Sequence, residues 1–163
     1  MKNLKNIYFI TAALLVFSLS NAQISNAEIK ATGLTCSMCS NAINKQLKSM
    51  PEVASVDTDL NTNTFTVTLK KDNTLSPKIF KDKVEKAGFF IGSLIVSMNT
   101  EAIKNKNYIN VNDNKSVGSV AKIQILDKGF VTAKEYKKLS KSFKNLPTYA
   151  ANSEDDFHIK FVK

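Results

Sequence analysis

The chain holds two cysteines, Cys36 and Cys39, in the stretch Gly33-Leu34-Thr35-Cys36-Ser37-Met38-Cys39. Thiolates are soft ligands, and two of them separated by two residues can converge on one ion. Soft d¹⁰ cations such as Cu(I) are satisfied by few sulfur donors, whereas structural zinc normally takes four ligands. The only histidine is the distant His158, so a closed four-ligand zinc site within one copy is disfavoured. The same spacing also suits dithiol–disulfide exchange. Structural stapling explains it poorly, because a C-x-x-C bridge closes too small a loop to restrain the unfolded chain much.

These thiols must be positioned by what surrounds them. Glu28 to Thr32 alternates as a short strand, Gly33 follows, and apolar residues at 39, 43, 47 and 50 have helical spacing. The helix is expected to stop near Met50, because the residue before Pro51 is pushed out of the α region. The thiols then sit on a strand-to-helix loop and a first helical turn, where unpaired N–H groups and the helix dipole favour the thiolate.

Val53 to Leu60 and Thr64 to Leu69 flank the turn-rich triplet Asn61-Thr62-Asn63 and read as a hairpin. Ser76-Pro77 opens a second helix with Phe80, Val84 and Ala87 on one face, and Gly88 ends it. Phe89 to Val96 is a last strand. The order strand, helix, strand, strand, helix, strand predicts an α+β, ferredoxin-like βαββαβ sandwich: a four-stranded antiparallel sheet with two helices on one face.

Ahead of this unit, Lys2 and Lys5, an apolar run from Ile7 to Leu19 and the small-residue end Ser20-Asn21-Ala22 read as a secretory signal peptide over 1–22, cut after Ala22. The run is shorter than the roughly 20 residues that span a bilayer. The expectation is a periplasmic or secreted protein with no stable membrane insertion after cleavage. All 23 basic residues are lysine and the net charge is +9. A nucleic-acid surface normally uses the bidentate fork of arginine, so nucleic acid is not an expected partner. The lysines are read as a solvated surface.

At this point the residues resemble a known family. Gly33-Leu34-Thr35-Cys36-x-x-Cys39, Met50-Pro51-Glu52-Val53-Ala54-Ser55-Val56-Asp57, the Asn61-Thr62-Asn63 turn and Lys86-Ala87-Gly88-Phe89 are similar to the heavy-metal-associated domain over roughly residues 27–95. The resemblance implies that Cys36 and Cys39 are the metal thiolates. It implies that Leu34, where many members have Met, supports the loop from below, and that Phe89 lies on the loop facing the metal and shields it. It implies Cu(I) as the leading cargo, with Hg(II) or Zn(II) as alternatives. A partner would be a metal-donating or metal-accepting protein, such as a metal-transporting ATPase or an efflux component.

The expected organisation is 1–22 signal peptide, 23–98 heavy-metal-associated domain, 99–107 linker and 108–163 a smaller α+β C-terminal region. In that region Tyr108 to Val111, Val117 to Leu126 and Phe157 to Phe161 read as strands. Thr132-Ala133-Lys134-Glu135 reads as a capping box opening a helix that carries Tyr136, Leu139, Phe143 and Leu146 towards Pro147. A shift of 96 residues lays Ile29 on Ile125, Gly33 on Gly129, Ile43 on Leu139 and Pro51 on Pro147. The tail is therefore weighed as a degenerate second copy of the first unit, against shared strand-Gly-helix-Pro grammar.

Met38, between the cysteines, is read as solvent-facing rather than as a thioether ligand. Met50 and Met98 are read as packing residues, and Phe90 as buried or exposed with neither favoured. His158, alternating between Phe157 and Ile159, is read as a surface histidine outside the metal site. The leading functional expectation is a non-enzymatic exported carrier that holds one soft ion, Cu(I) first, and passes it by thiolate exchange. The alternatives are periplasmic mercury capture and a dithiol–disulfide redox protein. No Trp precedes Cys36, and the hairpin after the helix departs from a thioredoxin-like order.

Overall fold

The structure is a computed structural model and describes residues 24–35, 37–104, 107–112, 118–153 and 155–162. The predicted signal peptide and Cys36 lie outside the described residues.

The first half is the expected alternation. Strand β1 (Ile24–Thr32) leads into helix α1 (Ser37–Lys48), strands β2 (Val53–Asp59) and β3 (Thr64–Leu69), helix α2 (Lys78–Lys86) and strand β4 (Phe90–Asn99). These strands lie in the order β2-β3-β1-β4, every neighbouring pair antiparallel. Because β1 and β2 both run antiparallel to the β3 between them, α1 is a crossover between parallel strands, as in a split βαβ unit. Ile43 and Leu47 of α1 and Phe80 and Val84 of α2 are buried in one core with Ile29, Phe65, Val67 and Leu94 of the sheet. Helical spacing puts the four helix residues on inward faces, and strand alternation does the same for their partners.

The turn chemistry is also as read. Asn63 takes φ +54° at the β2–β3 turn, and Asp59 accepts the Asn61 backbone N–H at 2.8 Å and the Thr62 hydroxyl at 2.7 Å. The Thr62 hydroxyl and these backbone donors hold the Asp59 carboxyl below its ordinary value. Ser76 Oγ accepts the Lys78 N–H at 3.2 Å, just ahead of α2.

The second half differs from a linker and a separate small unit. Residue 99 ends β4 and its side chain caps a short helix, α3 (Thr100–Ile103), by accepting the Glu101 N–H at 2.9 Å; Ile103 is buried in the main core. Asn99 to Ile103, inside the predicted linker, are thus held by the fold. Strands β5 (Tyr108–Asn110), β6 (Val120–Ile125) and β7 (Phe157–Val162), with helices α4 (Ala133–Ser142) and α5 (Pro147–Ala151), complete the chain. Strand β6 pairs antiparallel with β4, so the sheet runs β2-β3-β1-β4-β6-β7-β5 over seven strands.

The registers put one apolar row across five of them: Phe65, Ile29, Leu94, Ile125 and Ile159, each directly opposite the next and all without exposure. Burying such side chains is worth about 1.5–3 kcal/mol apiece. Tail and first half therefore share one core.

That pairing removes the degenerate repeat. In a second copy, the strands flanking α4 would be parallel with a third strand between them; β6 and β7 are instead antiparallel neighbours. Tyr108 to Asn110 does not fill a fourth place in such a unit either, since β5 lies at the far edge, parallel to β7. The apparent alignment has a local cause. Gly33 and Gly129 both take left-handed φ values, +86° and +87°, to leave a strand or bridge and approach a helix. Pro147, aligned with the helix-ending Pro51, opens α5 at its first turn. The helix predicted to reach Pro147 stops earlier, with α4 ending at Ser142.

Helices α4 and α5 build a second cluster in which Leu126, Val131 and Tyr149 are buried, with Tyr136, Leu139, Phe143 and Leu146 packed against them. Thr132 caps α4 as read, its Oγ1 accepting the Glu135 N–H at 3.2 Å. Among the described residues no helix is long and apolar enough to cross a membrane.

Candidate metal site

Strand β1 ends at Thr32, whose hydroxyl donates to the Phe90 carbonyl at 3.3 Å and so ties the strand end to β4. Gly33 turns the chain out of the sheet in the left-handed region, where an L side chain is strained. Leu34 is half-buried against the core and Thr35 is exposed. Helix α1 begins at Ser37, directly after Cys36, and Cys39 sits in its first turn at a half-buried position.

The helix itself is firmly anchored. Ser40, Ile43 and Leu47 form its buried face, and Asn44 Nδ2 donates to Thr58 Oγ1 on β2 at 2.8 Å. The first turn is consequently a fixed platform, and the positive end of the helix dipole lies at the loop.

Leu34 and Phe89 both pack against the main core, and a Cβ built at Gly33 would lie 3.9 Å from the Phe89 ring. Phe89 therefore abuts the loop that carries the cysteines. Met38 is 79% exposed, while Met50 and Met98 are buried, as their readings required. Phe90 is 66% exposed and lies outside the core. No group of three or more histidine, cysteine, aspartate or glutamate side chains gathers to hold a metal among the described residues.

His158 is a correction. It is fully buried rather than on the surface. Its Nδ1 lies 2.7 Å from Asp127 Oδ1, its backbone N–H donates to Asp127 Oδ2 at 2.6 Å, and its Nε2 lies 3.0 Å from Thr148 Oγ1. Tyr149 packs edge-on to the imidazole with centroids 4.9 Å apart and donates its hydroxyl to the Leu126 carbonyl at 2.8 Å.

Strand alternation gives a histidine a wet face only where one face is wet; here α5 covers the second face of β7. Burial raises the Asp127 carboxyl, opposed by its hydrogen bonds to His158. Both imidazole nitrogens are engaged, so His158 belongs to the packing of the tail. Sequence reading missed this network because Asp127 lies 31 residues from His158, and no local spacing signals such a pair.

The family model of the heavy-metal-associated domain matches residues 28–90. Among solved structures, a yeast copper transporter domain, Ccc2a, studied in apo and Cu(I)-loaded states, is 31% identical over 41% of this chain and 90% of that one, with a TM-score of 0.37. The N-terminal domain of a potential copper-translocating P-type ATPase from Bacillus subtilis, in its Cu(I)-loaded state, is 30% identical over 41% of this chain and 82% of that one, with a TM-score of 0.37. The CopZ metallochaperone is 24% identical over 41% of this chain and 98% of that one, with a TM-score of 0.38. No curated protein matches the chain. Through residues 28–90, the chain belongs to the heavy-metal-associated domain family.

Proposed function

We propose that this protein is a non-enzymatic carrier of one soft metal ion, Cu(I) foremost, held between the thiolates of Cys36 and Cys39. The observation that carries the reading is the half-buried Cys39 in the first turn of an anchored helix, three residues after Cys36 in sequence, with Phe89 against the Gly33 turn that leads into it. Low coordination by two sulfurs leaves room for an incoming thiolate, so the ion passes through shared ligands without being released free. A copper-transporting ATPase or an efflux component is the partner chemistry this suits, and the copper-binding relatives support it. Lys2, Lys5, the apolar run and Ala22 support export and cleavage after Ala22, placing the carrier in the periplasm or outside the cell.

The test is a titration of reduced, oxygen-free protein with Cu(I), Hg(II) and Zn(II), beside a Cys36→Ser, Cys39→Ser double variant. One tight equivalent of Cu(I), absent from the variant, is expected. Tight Hg(II) with weak Cu(I) would change the cargo. Catalytic disulfide turnover without tight metal would replace the carrier by a redox protein.

A further inference from the structure

Three strands added beyond β4 widen the sheet past the flank of α2, and there the loop between β6 and α4 folds back towards the first half. Between them lies a cavity of about 800 Å³, within the range of about 300–1,000 Å³ of small-molecule sites. Phe90 and Ile91 at the start of β4 form one wall, and Phe130, Tyr136 and Phe157 of the tail form the other. The exposed Phe90 is among the residues that line this space.

Lys81 of α2 also lines the cavity. Its ammonium stands 5.8 Å from the centre of the Phe130 ring, and its stem crosses Gly129 so closely that a Cβ there would come within 2.7 Å of Lys81 Cε. The side chain is half-buried. No hydrogen bond or ion pair joins it to any described residue. Glu85 and Asp156 are also in the lining and do not pair with it, and Asp127 is committed to His158. A cation over an aromatic face, at the wall of a largely apolar cavity and paired with no carboxylate among the described residues, is complementary to an anion carried on an apolar body.

We propose that this cavity, formed jointly by the metal-domain segment and the tail, binds a small amphipathic organic anion. The apolar part packs among Phe90, Phe130 and Phe157, and its carboxylate or equivalent group meets Lys81. The proposal is independent of the cargo at Cys36 and Cys39.

Phenylbutyrate and its neutral amide, phenylbutyramide, are the probes, each titrated into the full chain while backbone amide chemical shifts are followed. Saturable shifts at Lys81, Phe90 and residues 128–133 are expected, with the carboxylate bound about fivefold tighter than the amide. Lys81→Gln should bind both probes equally, and Lys81→Arg should keep the preference. Shifts that fail to saturate, equal affinity of the two probes for the native chain, or a preference that survives Lys81→Gln would each overturn the assignment.

Discussion

At Gly33 a single residue decides how the cysteine loop leaves the sheet. Its φ of +86° leaves space for a Cβ but not a comfortable backbone, since the nearest atom to that Cβ, on Phe89, is at an ordinary 3.9 Å. Gly33→Ala is therefore expected to cost about 1–2 kcal/mol through backbone strain rather than collision, read by chemical denaturation; an unchanged midpoint would refute the strained turn. The glycine turn was legible because its causes are local: a strand end at Thr32, a positive φ at Gly33 and a helix start at Ser37 follow one another directly. His158 was not legible. Its partners, Asp127 and Thr148, come from a different strand end and a different helix, and only the folded tail brings them to its two nitrogens. Asp127→Ala would leave a buried imidazole nitrogen and a buried backbone N–H without their acceptor, with an expected loss of about 3 kcal/mol. A loss below a quarter of that would show that water replaces the carboxylate.

Helix α1 is held by Ile43, Leu47 and the Asn44–Thr58 hydrogen bond, so its first turn is rigid whatever occupies the loop. Helix α4 has no such anchor: none of its residues is fully buried, and it depends on its cap and on partial packing against Tyr149. Thr132→Ala removes the acceptor for the Glu135 N–H and should cost about 1 kcal/mol. Amide exchange should quicken in α4 while α1 stays protected; equal effects on the two helices would contradict the local role of the cap. The cap was readable from Thr132-Ala133-Lys134-Glu135. The end of the helix was not, because Tyr136, Leu139, Phe143 and Leu146 keep helical spacing beyond the point where the chain turns to begin α5 at Pro147.

On the scale of the whole molecule, the tail continues the sheet. Phe65, Ile29, Leu94, Ile125 and Ile159 form one row through both halves, and a row shared across a boundary makes unfolding cooperative. Thermal unfolding is expected to show one transition, and Ile125→Ala should lower stability by about 2–5 kcal/mol in the first half as well as the tail. Two separate transitions, or damage confined to the tail, would contradict a common core. Each strand of that row was readable by its alternation. The pairing of β6 with β4 was not, because an alternating strand states which face is apolar and not which neighbour it will take.

All of this scaffolding presents one loop, and the claim about that loop is that two sulfurs alone hold one ion. X-ray absorption at the copper edge of the reduced protein carrying one equivalent of Cu(I) tests it most directly. Two sulfur neighbours and no nitrogen or oxygen neighbour are expected, with the signal lost in the Cys36→Ser, Cys39→Ser variant. A nitrogen or oxygen ligand in the first coordination sphere, or copper retained by that variant, would contradict it.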